Sequence, residues 1–311
     1  MQAMFEGAHS FNKPLSAWNT SRVTDMRRMF YAASSFNYPL SSWDTTNVVD
    51  MSEMFEGAKS FNSSIFTSTA NVKSMKKMFA NAISFNQPIY NMTTSSVTSF
   101  EGMFLGASSF NRPLPIDTSS AVTFHRMFDS ATLFNQDLST WNTTNVQYMS
   151  YMFYDASAFA LSIPMTWYTS NVLSMNGMFA LASSFNGDVT SWDVSNCNSM
   201  YGIFYKATSF NRDLSSWDIG LVNTFQYALK DATSFNQSLC WDVDESVDTA
   251  GFFEGTGCED ENCLLSCGRW GGISAFKGTT SDSVDLIGVT GPTASILSSF
   301  ILGMMLFLQL C

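Results

Sequence analysis

A repeat of about 25 residues runs through most of this chain and constrains its fold more than any other feature. The motif Ser-Phe-Asn, or a close variant, recurs ten times, and its phenylalanine returns every 24 to 26 residues. The members of this first column are Phe11, Phe36, Phe61, Phe85, Phe110, Phe134, Phe159, Phe185, Phe210 and Phe235. Self-similarity at a fixed period indicates a stack of small units, each burying its apolar face against its neighbours.

A second phenylalanine column lies six residues before the first, in Met-Phe pairs such as Met29-Phe30. The apolar residues from Val23 to Ala33 follow the spacing of one helix face. Asp, Ser or Thr directly precedes the first Met, or its equivalent, in nine of ten units. We place this column from Asp25 to Thr249. These residue types are typical of a helix N-cap. The first half of each unit is therefore predicted to be a helix of about two turns.

The second half of each unit has an extended character. In one unit Phe36, Leu40 and Trp43 flank Pro39, and proline inside a helix costs about 3 kcal/mol. A short strand followed by a Thr/Ser turn fits this pattern better. The predicted fold class is an α/β repeat solenoid over residues 1–256, with one short helix and one short strand per coil.

Units such as VTDMRRMFYAASSFNYPLSSWDTTNVVDMSEMF resemble the BspA-like leucine-rich-repeat surface proteins. More closely, they resemble the repeat family first noted in Mycoplasma surface lipoproteins. The resemblance implies a leucine-rich-repeat-like solenoid attached to the outside of a cell, with a role in adhesion or protein binding. It brings no catalytic residue, so we expect no enzymatic activity, no cofactor and no metal centre.

The composition agrees with a stack of repeated columns. The chain contains 28 Phe, 19 Met and 8 Trp, whereas only 13% of its residues are charged and its net charge is −11. An aromatic load of this size excludes an intrinsically disordered chain, and the acidic balance argues against a nucleic-acid partner. An asparagine follows the first-column phenylalanine in nine units, and we expect it to bond the backbone of its turn and of the next coil. The alternative is a ladder that binds a ligand.

The repeat ends near residue 256, and cysteines cluster beyond it. Cys240, Cys258, Cys263 and Cys267 lie within 28 residues, without the C-x2-C spacing or the nearby His of common zinc sites. A disulfide-stapled cap over residues 257–272 is the favoured interpretation. Zinc and free thiols remain the alternatives. Disulfides would indicate a secreted, oxidising setting.

Residues 273–293 form a polar linker, and residues 294–311 form a hydrophobic tail. Small residues around Ser281, a short spacer and a terminal apolar segment match a glycosylphosphatidylinositol-anchor signal, with Ser281 as the candidate attachment residue. A transmembrane tail is the alternative, although the segment is short for a span and has no basic flank. Either interpretation places the solenoid on the extracellular face of a membrane.

Three glycosylation sequons support that location: Asn19, Asn91 and Asn142 fall in turns and are the candidates for modification. Two further sequons, at Asn62 and Asn236, belong to the asparagine column and are expected to be buried. The chain starts within the repeat pattern, without a signal peptide or capping element, which predicts a truncated N-terminus.

Two other patterns in the turns have a functional and a structural interpretation. A Thr/Ser ladder that includes Thr20-Ser21 and Thr45-Thr46 is either turn chemistry or a flat ice-binding face. An acidic residue follows Trp in several turns, as Asp44 does. It is either a solvated turn residue or a calcium ligand, although one carboxylate per coil supplies few of the oxygens that calcium needs. The function that we expect is non-enzymatic adhesion, or binding of a protein or glycan, at the cell surface. The alternative is a structural coat or wall protein without a discrete ligand.

Overall fold

The computed structural model describes residues 1–66, 68–90, 92–161, 166–258 and Cys263. All of them belong to one compact unit, Met1–Ala275, and a second unit comprises Phe276–Cys311. The candidate residues Asn91, Cys267 and Ser281, together with the linker and the hydrophobic tail, lie outside the described residues. We number the coils 1 to 11 by their second-column residue: Phe5, Phe30, Phe55, Phe79, Phe104, Phe128, Phe153, Phe179, Phe204, Leu229 and Phe253.

The predicted helix is wrong, because the first half of each coil is a chain of tight turns. In coil 2 the N–H groups of Met29, Tyr31 and Ala33 each donate to the carbonyl three residues earlier. Arg28 and Ala32 have positive φ angles of 56° and 55°. A positive φ at the third residue of a four-residue turn is the mark of a type II turn. The described stack therefore contains no helix with defined bounds, and Cys263 alone is recorded as helical among the described residues.

The same two positive-φ positions recur in every coil. They lie two residues before and two residues after the second-column residue, and glycine occupies only some of them. The pairs are Ala3 and Gly7, Arg28 and Ala32, Glu53 and Gly57, Lys77 and Asn81, Gly102 and Gly106, Arg126 and Ser130, Tyr151 and Asp155, Gly177 and Leu181, Gly202 and Lys206, Tyr227 and Asp231, and Gly251 and Gly255.

Hydrogen bonds between coils explain why turns replace the helix. Arg28 N–H donates to the carbonyl of Ser52 at 3.0 Å, and Phe30 N–H donates to that of Met54 at 2.8 Å. Alternate N–H groups thus bond within the coil and to the next coil. A two-turn helix would leave most of its terminal donors and acceptors unpaired. Consecutive turns share the three-residue apolar spacing of a helix face, so the sequence pattern could not separate the two.

The predicted strand of the second half is also wrong. In the described residues, parallel pairing is limited to isolated single-residue bridges, in the column interpreted as N-caps. The bridges join Asp25 to Asp50, Asp50 to Ser74, Ser74 to Ser99, Ser99 to Thr123, Thr123 to Tyr148, Tyr148 to Ser174, Ser174 to Ser199, and Thr224 to Asp248. Asp248, and not Thr249, therefore belongs to this column. The side chains still cap a turn: Asp25 Oδ1 accepts the N–H of Arg27 at 2.9 Å.

The two phenylalanine columns form the core, as the repeat predicts. Phe30 and Phe36 stack within coil 2 with ring centroids 4.0 Å apart. Phe30 also stacks on Phe55 of the next coil, at 5.5 Å and with the ring planes 7° apart. Aromatic pairs of this geometry stabilise by about 0.5–1.5 kcal/mol each beyond area burial. The stack therefore gains this contribution both within and between coils.

Each described tryptophan of the repeat column except Trp18 is buried. In most of these the indole N–H bonds the backbone of the preceding coil: Trp43 Nε1 donates to the carbonyl of Leu15 at 3.1 Å, and Trp141 Nε1 to that of Leu114 at 2.9 Å. The large ring thus packs in the core while its one polar group is satisfied.

Candidate binding surface

The cysteines are placed at the C-terminal end of the stack. Cys258 and Cys263 form a disulfide, and Cys240 is also disulfide-bonded. Leu239 N–H donates to the carbonyl of Cys263 at 3.0 Å, which ties this segment to coil 10. Cys197, which occupies a core position, is a buried free thiol, and burial raises its pKa to about 11. A thiol of this kind is unreactive near neutral pH.

The glycosylation candidates within the described residues are exposed and structured. Asn19 Oδ1 accepts the N–H of Ser21 at 3.1 Å, and Asn142 Oδ1 accepts that of Thr144 at 3.0 Å. Asn62 and Asn236 are exposed as well, so the expectation that they are buried is wrong.

The asparagine column forms a ladder along the stack. Asn37 Oδ1 accepts the backbone N–H of Asn62 at 2.8 Å, and Asn62 Oδ1 accepts that of Asn86 at 2.9 Å. Equivalent bonds join Asn12 to Asn37, Asn86 to Asn111, Asn111 to Asn135, Asn135 to Ala160, Asn186 to Asn211, and Asn211 to Asn236. The side-chain oxygens are thus used by the fold, which supports the structural interpretation of this column.

A second amide ladder was not found by sequence reasoning. Asn47 Nδ2 donates to the carbonyl of Ser21 at 2.7 Å, and Asn145 Nδ2 donates to that of Ser119 at 2.8 Å. Asn71, Asn171 and Asn196 make the same contact with the preceding coil. The sequence does contain a signal for this ladder. An asparagine or serine recurs directly before the valine that follows the turn, as in Asn47-Val48 and Asn145-Val146.

The first hydroxyl of each pair in the hydroxyl ladder is buried, whereas the second, as in Thr46 and Thr144, is exposed. Thr20, Thr69 and Thr94 are buried, and their hydroxyls donate to carbonyls of the next coil at 2.8–2.9 Å. Buried hydroxyls cannot order surface water, which supports the turn interpretation for the first hydroxyl of each pair. The hydroxyls instead replace backbone hydrogen bonds between coils.

The acidic turn residues have a local role. Asp44 Oδ1 accepts the N–H of Thr46, and Asp117 Oδ1 accepts that of Ser119, at 3.0 and 2.9 Å. Hydrogen bonds from the side chains and backbone of Thr46 and Ser119 lower the pKa of the two carboxyl groups. Among the described residues, no three His, Cys, Asp or Glu side chains are grouped so that they could hold a metal ion.

The tight turns present a continuous outer side, which we call the turn face. Its side chains, most of them exposed or half-buried, lie five, three and two residues before the second-column residue (positions −5, −3 and −2) and one and two residues after it (positions +1 and +2). Six of the ten tyrosines of the chain lie on this face in coils 7, 9 and 10: Tyr148, Tyr151, Tyr154, Tyr201, Tyr205 and Tyr227. We call this group the tyrosine patch.

The rings of the patch contact one another edge to face. Tyr151 and Tyr154 have centroids 6.0 Å apart with ring planes at 69°, and Tyr201 and Tyr227 lie 5.9 Å apart at 74°. Burial raises the pKa of Tyr151, Tyr154 and Tyr201. Tyr148 at the border of the patch is 45% exposed. The patch is therefore a packed layer of rings whose outer surface remains accessible.

Glycines in the following coils make room for these rings. A Cβ added at Gly177 would lie 2.6 Å from the ring of Tyr151, and one added at Gly251 would lie 2.6 Å from the ring of Tyr227. Both contacts are far below van der Waals distance. Tyrosine at position −2 of one coil is thus paired with glycine at position −2 of the next.

Charged groups border the patch. The guanidinium of Arg126 lies 5.1 Å from the centroid of Tyr151, and Lys206 Nζ lies 5.1 Å from that of Tyr205. Asp129 is only 6% exposed, lies 3.7 Å from Arg126, and has a pKa that burial raises to about 6. The patch combines aromatic anchors with charges of both signs, a composition that is enriched where proteins bind ligands.

The turn face of coils 1 to 5 carries charged side chains and one tyrosine, Tyr31 of coil 2, whose ring centroid lies 4.3 Å from the guanidinium of Arg28. Arg28 pairs with Glu6 at 2.6 Å and with Glu53 at 3.4 Å, and Lys76 pairs with Glu101 at 3.0 Å. We call this part the ion-pair ladder. Each of these cations pairs with an acidic side chain of an adjacent coil, so their positive charges are neutralised within the molecule.

Among the described residues there is no helix with the length and apolar character that crossing a membrane requires. None of the curated proteins compared with the chain matches it. A family model does match, in four consecutive segments that cover residues 1–68, 68–116, 115–165 and 162–264. These segments span most of the chain and coincide with the repeat. The chain therefore belongs to the family described as Mycoplasma protein of unknown function, DUF285.

Proposed function

We propose that this protein is a non-enzymatic binding or adhesion protein of the cell surface, comparable in role to the BspA-like surface proteins. The observation that carries the proposal is the tyrosine patch. Three coils carry its six tyrosines, five of which are exposed or partly exposed, and this is more than a scaffold of this type needs, since coils 3 to 6 form the same turns without any. Tyrosine supplies large contact area at low entropic cost, together with a polar hydroxyl.

The surface location rests on two further features. Disulfides such as Cys258–Cys263 form and persist in oxidising compartments. The apolar segment 294–311 suits membrane attachment, either through a lipid at Ser281 or as a span. The solenoid and the sequons at Asn19, Asn91 and Asn142 would then face the outside of the cell.

The test compares binding by the full chain displayed on cells with binding by a variant of the patch. Tyr151→Ser combined with Tyr227→Ser removes two rings of the patch, one from coil 7 and one from coil 10. Tyr168→Ser serves as the matched control, because Tyr168 is 64% exposed and lies off the turn face. Binding of the displayed protein to cells and to a glycan array is measured for all three.

We expect the patch variant to lose binding and the control to retain it. Truncating central aromatic contacts in a binding surface typically costs at least 2 kcal/mol, or about thirtyfold in affinity. Equal binding by all three proteins would contradict the proposal. No saturable binding by any of them would favour a structural coat protein. Release from cells by phospholipase, against retention, separates a lipid anchor from a transmembrane tail.

A further inference from the structure

Coils 7 and 9 of the tyrosine patch are complementary to each other at three positions of the turn face, whereas position +1 carries a tyrosine in both coils, Tyr154 and Tyr205. At position −5, Tyr148 of coil 7 corresponds to Ser199 of coil 9. At position −2, Tyr151 of coil 7 corresponds to Gly202 of coil 9. Position −3 reverses the order, with a serine on coil 7 and Tyr201 on coil 9. Each of the rings at positions −5, −3 and −2 thus has a small residue at the equivalent position two coils away.

The charges follow the same rule. At position +2, coil 7 carries Asp155 and coil 9 carries Lys206. Lys206 is exposed and Asp155 is half-buried, and neither forms an ion pair with another described residue. Burial without a counter-charge raises the pKa of Asp155. Both groups are therefore available to a partner of opposite charge.

Coil 8, between them, carries small or apolar residues at three positions of the turn face, and uncharged Ser174 and Asn176 at positions −5 and −3. Its positions −2, +1 and +2 are Gly177, Ala180 and Leu181. It carries no charged side chain at these positions. A partner surface can therefore approach this coil closely without burying an unpaired charge.

A two-fold axis that lies in the turn face and runs along coil 8 brings these elements together. Such an axis places coil 7 of one molecule against coil 9 of the other and keeps each position opposite the same position. Asp155 then faces Lys206 of the other molecule, twice by symmetry, and Leu181 faces its own copy at the axis. Tyr151 faces Gly202, and Arg126 of coil 6 faces Tyr227 of coil 10. Isologous interfaces are self-complementary in this way.

We propose that the turn face around coil 8 binds a second copy of this chain, antiparallel and with Asp155 paired to Lys206 across the interface. This inference rests on the proposed adhesive function and names its partner. Coils 6 to 10 extend over only about 20 Å at the spacing of paired backbones. A patch about 20 Å on a side would cover about 400 Å², half of the roughly 800 Å² per partner of a stable interface, so a single contact is weak. Many copies on apposed membranes strengthen it through multivalency.

The experiment uses charge reversal in the full chain, purified in detergent micelles and measured by sedimentation velocity over about 5–200 µM. Asp155→Lys and Lys206→Asp each place like charges opposite one another at both symmetry-related contacts. We expect each variant alone to self-associate at least about tenfold more weakly than the unaltered chain. Lys206 already has a φ of 56° at the same position, so the backbone tolerates lysine there.

The decisive measurement is the mixture of the two variants. Every Asp155→Lys chain then meets a Lys206→Asp chain with opposite charges at both contacts, so association is restored. The double variant restores it as well. Association through the tail is common to all proteins and cancels in the comparison. Equal self-association by the single variants and the unaltered chain would overturn the proposal, as would a mixture no stronger than its components.

A cross-linking variant tests the position of the axis. Leu181→Cys places a thiol next to its own copy, and we expect a covalent dimer on mild oxidation. Asn81→Cys, at position +2 of coil 4, is the matched control and should remain monomeric. Absence of the dimer for Leu181→Cys contradicts the antiparallel arrangement.

The outcomes separate this inference from the proposed function. If charge reversal leaves self-association unchanged while the tyrosine variant loses binding to cells, the second-copy inference fails and the adhesive function stands. Saturable binding of a glycan on the array, lost with Tyr151→Ser and Tyr227→Ser, would likewise replace the second copy by a carbohydrate. If neither set of variants has an effect, both proposals fail.

Discussion

The turn face of coils 1 to 5 and that of coils 6 to 10 share one backbone and differ in their side chains. Arg28 in the ion-pair ladder and Tyr151 in the patch both lie at position −2, with φ angles of 56° and 59°. The N–H of each bonds the next coil, at 3.0 and 2.7 Å. The buried columns thus determine the path of the chain, and the exposed positions are free to carry either charges or rings.

The two regions also differ in how their charges are balanced. In the ion-pair ladder Arg28 is held between Glu6 and Glu53. In the patch, Asp155 and Lys206 make no such pair within the described molecule. A compensated surface has little to gain from a partner, whereas an uncompensated one does. This difference is why we place the binding function in coils 6 to 10.

The glycines at position −2 give the largest expected effect. Gly177→Ala places a Cβ 2.6 Å from the ring of Tyr151, and Gly177 has a φ of 54°. We expect a loss of about 2–4 kcal/mol from backbone strain and overpacking. Gly102→Ala is the counterpart in the other region, where the nearest atom is the flexible Cγ of Lys77 at 3.0 Å. Its loss should be about 1 kcal/mol, so urea midpoints that agree for both variants would contradict the packing argument.

The pH dependence of stability should report the burial of Asp129 in coil 6. The pKa of Asp129 is raised from 3.8 to about 6 by burial, so the folded state holds its proton more tightly than the unfolded state. Stability therefore falls as the pH rises from 3.8 to about 6, by about 2–3 kcal/mol. Asp129→Asn should reduce this fall, as measured by urea unfolding at several pH values, and the contributions of Glu56 and Asp155, whose pKa burial also raises, should remain.

The acidic turn residues predict the opposite sign at lower pH. Hydrogen bonds lower the pKa of Asp44 and Asp117. Their contribution is present at neutral pH and is lost as the pH falls below the ordinary value and through the lowered one. A stability profile without a decline on the acid side would contradict the turn geometry of these carboxyl groups.

Salt should weaken the contribution of Arg28 in the ion-pair ladder and leave that of Tyr151 in the patch unchanged. Arg28→Met removes two partly exposed ion pairs and should cost less than about 1 kcal/mol, an effect that fades near 1 M salt. Tyr151→Ser removes ring packing and should cost about 1–2 kcal/mol at any salt concentration. Thermal unfolding in low and high salt measures both. An equal salt dependence of the two variants would show that the regions do not differ in this respect.

The smallest expected effect concerns the asparagine ladder, which runs from Asn12 to Asn135 and is interrupted at Ala160. Ala160→Asn supplies an acceptor for the N–H of Asn186, and we expect a gain of about 0.5–1 kcal/mol. Asn111→Ala is the reverse change in the intact part and should lose a similar amount. A destabilising Ala160→Asn, measured in urea, would mean that coil 7 differs locally from the other coils.

Three elements of the fold could be predicted from the sequence, because each is visible in residue types that recur with the repeat. The period, the two phenylalanine columns and the asparagine ladder follow from residue types recurring at fixed spacing. The helix of Val23–Ala33 was predicted wrongly because its apolar spacing is shared by consecutive turns. The burial of Thr20 and Thr69 was also missed, since a hydroxyl column looks the same in the sequence whether it points inward or outward.

The patch could not be predicted from the same columns. Its tyrosines occupy positions −5, −3, −2 and +1, so no column is consistently aromatic. Only the stacking of coils brings Tyr151 over Gly177 and Tyr201 against Tyr227. The available signal was local, because six of the ten tyrosines lie at turn-face positions between residues 148 and 227.

By itself the sequence determined that this protein is a stack of repeated units with a Phe, Met and Trp core, because burial of a periodic apolar pattern requires such a stack. The tertiary structure alone decided that each unit is built of turns. Hydrogen bonds to the neighbouring coil, which no single unit contains, satisfy the backbone better than a two-turn helix would. The same stacking decided which exposed side chains of separate coils become one surface.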